Sequence, residues 1–248
     1  MTKRFLIVLL LLLAAAALLP AQQMPLPKVS IEVGKAANPD DISVTLQILL
    51  MMTVLSLAPA ILILTTAFTR IIVVLHFLKQ AMGTPQMPPA QVLVGLALFL
   101  TFFVMAPVWD RVNTDAVQPY MNKKISVSAA YEKAVVPLRE FMFRQTREED
   151  LALFIKMSRM PKPATRADVP IYVVIPAFAI SELRMGFQIG FILFIPFLII
   201  DMVVASVLMS MGMMMLPPSM VSLPFKILLF IMVDGWNLVI ASLISSFH

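Results

Sequence analysis

Residues 42–67 run for 26 positions without a charged side chain, and that stretch excludes most of what a chain of this length could fold into. As an α-helix it would extend about 39 Å at 1.5 Å per residue, enough to cross a bilayer core of roughly 30 Å. Asp40, Asp41 and Ser43 can cap its start and set negative charge against its dipole. Pro59 inside it is tolerable, because Ser and Thr neighbours and packed helices can satisfy the freed carbonyl. The whole chain is 60% hydrophobic and 13% charged, which does not describe a soluble domain. A membrane-class protein built from helices follows.

Lys3 and Arg4 precede apolar residues 5–19, then Pro20 and Ala21, the layout of a secretory signal. Cleavage after Ala21 is predicted for residues 1–21. Leu19 occupies the place where a small residue is preferred, so an uncleaved anchor is the alternative. Residues 22–41, with Pro25, Pro27, Gly34 and Pro39, read as an extended arm.

The first hydrophobic pair occupies residues 42–109. Between its segments, residues 70–91 hold Arg70, His76 and Lys79 with no acid, and end in the turn-rich GTPQMPP, which predicts a short basic loop facing the cytoplasm. Residues 92–109 then return outward to an interfacial Trp109. The run SLAPAILILTTAFTRIIVVLHFLKQAMGTPQMPPAQVLVGLALFLTFFVMAPVW resembles the first hairpin of the FliP family, the export-gate proteins of flagellar type III secretion and their injectisome counterparts. PAFAISELRMGFQIG and IPFLIIDMVVASVLMSMGMMMLPPSMVSLPFKILLFIMVDGW continue the resemblance over residues 42–247.

Composition shifts at residues 110–169, where eleven Lys or Arg and eight Asp or Glu mark a solvated insert. Chain order puts it outside the cytoplasm, and positive charge does not veto that in a long loop. Residues 129–145 read as a helix around Pro137. Thr146 and Glu149 have capping-box spacing for a second helix carrying Leu151, Phe154 and Ile155 on one face. Phe141, Phe143 and Phe154 would pack these helices together, with a contact between subunits as the second reading. The resemblance implies a periplasmic domain that helps subunits assemble.

The second hydrophobic pair spans residues 170–248. Gly186 and Gly190 have the small-xxx-small spacing that lets helix backbones approach closely. Glu182 and Arg184, two apart, point to different sides of a helix, so each needs a partner elsewhere. Residues 187–200 make only about 21 Å of helix before Asp201 interrupts them, too short to span. Asp201, Lys226 and Asp234 are charges at membrane depth, where unpaired groups cost several kcal/mol. Lys226 and Asp234 on one regular helix would lie about 12 Å apart along its axis and could not touch. Pairing across helices or chains, such as Lys226 with Asp201, is the better expectation, and a proton-conducting role stays open.

At residues 209–218, MSMGMMMLPP, five of the first seven residues are methionine, and Pro217 and Pro218 end any arriving helix. Clustered thioethers make an apolar surface that re-packs around whatever touches it. Met209, Met211, Met213, Met214 and Met215 are therefore candidates for a pliable seal. The resemblance sets the family's Met loop on residues 213–215. A Cu(I) site is disfavoured because no Cys or His accompanies these thioethers.

Enzymatic readings find little support. The chain has only His76 and His248, no cysteine and no GxxxxGK[ST], so a catalytic triad, a multi-histidine metal site and a P-loop are all improbable. No cofactor is expected. Acids and bases alternate wherever charges occur, so the basic balance does not argue for nucleic acid.

The resulting fold class is all-α, with four hydrophobic segments in two membrane-associated hairpins and a small helical insert. The resemblance implies a channel component of the flagellar export gate in the bacterial inner membrane. It implies a homo-oligomer with FliQ, FliR and other export-apparatus proteins, contact with lipid, and unfolded proteins as cargo. It also implies an assembly lying partly above the bilayer plane. A cleavable signal fits the flagellar branch rather than the virulence branch. A secondary transporter of a small solute or metal, using a broken third segment as its binding site, is the rival reading.

Overall fold

The computed structural model describes residues 39–247 except Pro85, Lys162 and Met214, with side chains described from Leu46 onward. The signal segment and the arm up to residue 38, together with Met214 of the seal, lie outside the described residues. The chain divides into two units, Met1–Leu50 and Met51–His248. The first contributes to the described residues only the opening turns of one helix. Every other element belongs to the second.

Helices make up the described residues, with no strand among them. Helix α1 (Pro39–Thr65) closes on three threonines. Thr65 and Thr66 donate to the carbonyls of Ile61 and Leu62, and Thr69 donates to Ile63. The carbonyls of Leu62 and Ile63 are among the last four of the helix, which such hydroxyls help to satisfy, while the Thr65 hydroxyl adds a second bond one turn back.

Helix α2 (Phe68–Met82) lies where a basic loop was predicted. Phe68, Ile71, Val74, Leu75, Leu78 and Met82 recur at spacings of three and four and are buried, which makes this the core helix. Counting cations as a loop signal failed because Arg70 points inward. Gly83 closes α2 in the left-handed region, with φ of 69°, before the turn-rich stretch.

Helix α3 (Ala90–Val112) continues through a π-helical turn (Asn113–Val117) into α4 (Gln118–Met121). Helix α5 (Val127–Gln145) starts at Ser126, whose hydroxyl accepts from the Ala129 amide, and carries Pro137 within it. Helix α6 (Glu148–Met157) opens with Glu148, Glu149 and Asp150, acids that suit the positive end of its dipole. The predicted capping box does not form. Arg147 precedes the helix, while the Thr146 hydroxyl turns back to the Met142 carbonyl at 2.7 Å.

Helix α7 (Ile171–Ser210) is 40 residues long, about 60 Å of helix. The predicted break at Asp201 is absent, because that carboxylate is paired sideways and the backbone passes through. Helix α8 (Pro218–Met232) and α9 (Gly235–Ser245) meet at a 65° bend. Asp234 sits at that bend with φ of 48°, so it does not share a regular helix with Lys226. Gly235 allows the bend, since a Cβ there would lie 2.3 Å from the Phe230 ring.

Among the described residues, three helices are long and apolar enough to cross a membrane, Leu46–Thr65, Ala90–Met121 and Ile171–Ser210, and the bent α8–α9 pair makes a fourth if it counts as one span. The shared core gathers buried residues of α2, α3 and α7, and α5 and α9 close over it.

Candidate functional site

The densest polar arrangement surrounds Arg70, which is 1% exposed although it sits in an otherwise apolar helix. Its Nε donates to Glu182 Oε2 at 3.1 Å, and its Nη2 donates to the other carboxylate oxygen and to Gln145 Oε1 at 2.9 Å. Nη1 donates to the carbonyl and hydroxyl of Ser246 at 2.8 and 3.1 Å. The guanidinium carbon lies 4.0 Å from the centre of the Phe247 ring. Gln145 in turn donates to the Phe247 carbonyl at 2.9 Å. Four separate parts of the chain thus meet on one side chain. Burial of both charges is sustained because the fork pairs with its carboxylate and its other N–H groups find acceptors.

Glu182 therefore has its partner on a different helix of the same chain. Arg184 points away from it, with Nη2 3.6 Å from Asp150 and Nη1 3.8 Å from Glu149. Asp150 also accepts from the Ser181 hydroxyl at 2.8 Å, and that hydroxyl accepts the Arg147 amide. This second node ties the start of α6 to α7.

Gly186 and Gly190 mark where α7 crosses α2. A Cβ at Gly190 would fall 2.8 Å from Phe77 Cβ, and one at Gly186 would fall 3.1 Å from Val73 Cβ. Phe77 also meets Phe187 edge-on at 5.3 Å. The insert packs on the same helix: Phe141 is buried with its ring 5.9 Å from Phe178. Phe154 is partly buried against the core, and Phe143 lies under the Arg139 guanidinium at 5.3 Å.

Farther along α7, Asp201 accepts from Lys226 Nζ at 2.6 Å and from the Ser222 hydroxyl at 2.5 Å. Lys226 is 5% exposed and Asp201 35%. Asp234 accepts instead from Asn237 at 3.2 Å. Beyond Ser210 the chain turns at Gly212, with φ of 74°, and displays Met209, Met211, Met213 and Met215. Met215 is 99% exposed.

Sequence reasoning missed Arg70, Gln145, Ser246 and Phe247. A lone cation inside the 3–4 apolar rhythm of AFTRIIVVL was the available signal for Arg70. Ser246 and Phe247 offer none, because their role depends on where α9 ends in space.

Span-capable helices around a buried ion pair, with a methionine-rich turn between two of them, define an all-α membrane protein. A family model described as the FliP family matches residues 51–243. Among relatives, the flagellar biosynthetic protein FliP of Bacillus subtilis is 58% identical over 217 residues, covering 88% of this chain and 98% of its own. Its namesake in Caulobacter vibrioides is 50% identical over 99% of this chain and 92% of its own length. That of Aquifex aeolicus is 46% identical over 90% and 92%. The chain belongs to the FliP family.

Proposed function

We propose that this chain is a channel subunit of the flagellar type III export gate in the bacterial inner membrane. Several copies, with FliQ, FliR and other export-apparatus proteins, would enclose a path for unfolded flagellar proteins. In this reading residues 110–169 form the periplasmic part. The energy for transport comes from other subunits, since this chain lacks a nucleotide-binding loop.

The observation that carries the proposal is the last turn of α7 and the turn that follows it, which hold Met209, Met211, Met213 and Met215 out of the protein core. A seal around an extended polypeptide needs apolar contact without rigid shape, which flexible thioethers supply. Repeated from copy to copy, these side chains would close the path to ions and yield to cargo. Glu182 acts in assembly through the fold of its own subunit, because its carboxylate is spent on Arg70. Phe141 acts in the same way by seating the insert on Phe178 of α7, and Phe143 and Phe154 by packing against the core.

The transporter reading relied on a broken third segment, and α7 is continuous there. Deleting residues 213–215 tests the proposal. The gate should still assemble, by co-purification with its companion chains, while ion conductance of the reconstituted complex rises. Unchanged conductance in an assembled gate would count against the seal.

A further inference from the structure

Where the insert meets the end of α3, a cavity of about 580 Å³ is lined by four arginines, Arg111, Arg139, Arg144 and Arg166. Glu140 is the one carboxylate among the described residues of that lining. Its oxygen accepts from Arg111 Nη1 at 2.6 Å, and both side chains are about half exposed. Arg166 reaches Glu148 at 3.3 Å in a pair that is mostly exposed, and such pairs are weak. Nη2 of Arg139 donates to the carbonyls of Arg166 and Ala167, at 3.0 and 2.7 Å, and to that of Val169, which fixes the cation in the wall without neutralising it. The nearby Asp168 carboxylate is occupied by the Thr165 amide and hydroxyl, each at 2.8 Å. Arg144 shares the Glu140 carboxylate electrostatically with Arg111, so this single anion, held below the ordinary carboxylate range chiefly by its bond from Arg111, faces two of the four guanidiniums. Four cations against one anion leave the lining with an excess of three positive charges.

Guanidinium forks match phosphate oxygens in geometry as well as charge, better than a lysine cluster would. The position of the cavity narrows the source of that phosphate. Within the membrane-capable stretch Ala90–Met121, residues 90–109 carry no charge, and Arg111 stands in the last turn of α3, two residues after the Trp109 that ends this uncharged run. Tryptophan and arginine at the end of a span lie at the depth of lipid headgroups. We infer that this cavity binds the phosphate headgroup of an anionic phospholipid, held by Arg111, Arg144 and Arg166 over the fixed charge of Arg139. The inference rests on α3 crossing the membrane and is independent of the methionine seal.

The test uses the full chain with its co-purifying partners in non-ionic detergent, and reads retention of phosphatidylglycerol against phosphatidylcholine by native mass spectrometry. The doubly substituted R144Q/R166Q chain should hold phosphatidylglycerol about tenfold more weakly or worse, with phosphatidylcholine unchanged. Neither arginine anchors the core, so the fold should survive. Glu140→Gln removes the only anion in the lining and should tighten retention, a gain that misfolding cannot imitate. Equal retention by the parent and R144Q/R166Q would overturn the site. Arginine-dependent binding of inorganic phosphate without a preference between the lipids would overturn the lipid source. Loss of a companion protein in R144Q/R166Q with lipid retention unchanged would overturn it in favour of an acidic protein partner.

Discussion

The two halves of α7 solve different problems. Eight of its ten buried residues lie at or before Gly190, and beyond that only Phe197 and Leu208 are buried. In the first half, Ser181 and Glu182 are spent on directional bonds, and the two glycines let α2 approach to contact distance. In the second half Phe191, Ile192, Met202, Val203 and Val207 remain exposed, and Asp201 with its Lys226 and Ser222 partners is the polar tie. Hydrogen bonds and close backbone contact specify one arrangement, whereas exposed apolar area accepts many. The first half is built to hold one shape, and the second leaves apolar surface uncovered.

The largest way to break that contrast is at the buried ion pair. Glu182→Leu leaves the Arg70 charge uncompensated and should cost roughly 3–5 kcal/mol, while Arg70→Met combined with Glu182→Leu should recover most of the loss. Unfolding of the purified chain in detergent measures both, and a pair that is no better than the single change would show that charge is not what α2 and α7 share. A smaller effect is expected from Gly190→Ala, about 1–3 kcal/mol, because Phe77 Cβ cannot swing away from the new methyl. Gly95→Ala, at a site with nothing within 4 Å, should instead be neutral or stabilise by up to about 1 kcal/mol.

Toward the open end of α7 the effects should fade. Met209→Ser and Met211→Ser should shift subunit stability by no more than about 0.5 kcal/mol, since both side chains are already exposed. A loss of several kcal/mol at either position would erase the distinction between the halves. The smallest expected effect lies in the insert. Hydrogen bonds from Thr165 hold the Asp168 carboxyl below its ordinary range. Its contribution is therefore fully present above the ordinary carboxylate value near about 4, and fades as pH falls through the lowered value. Proteolysis around residues 163–169 should quicken only in that acid window, and Asp168→Asn should remove the pH dependence.

Much of the architecture was legible because it depends on local runs. Residues 42–67 and 92–109 contain their own evidence of length and apolarity, and α1 and α3 occupy those stretches. The opposite directions of Glu182 and Arg184 also follow from helical spacing alone, and each side chain finds its partner on a different element. Basic residues in 70–91 misled, because a charge count cannot tell a solvated cation from one facing a carboxylate 112 residues away. Asp201 misled similarly: a single charge looks like the end of a span until Lys226 and Ser222 are seen beside it.

By itself the amino-acid order determined an all-helical, membrane-class chain with apolar segments, a charged insert and a methionine-rich turn, although the arriving helix ends at Ser210 and Pro217 and Pro218 open the next one. Those properties come from side-chain transfer energies and backbone rules that act within a few turns. Tertiary structure alone decided that Arg70 is a core residue, that α7 runs unbroken past Asp201, and that Ser246 and Phe247 return to complete the Arg70 node. Each of those depends on which distant groups share one low-dielectric volume, and hydrogen bonds to a buried charge are set by that proximity in space.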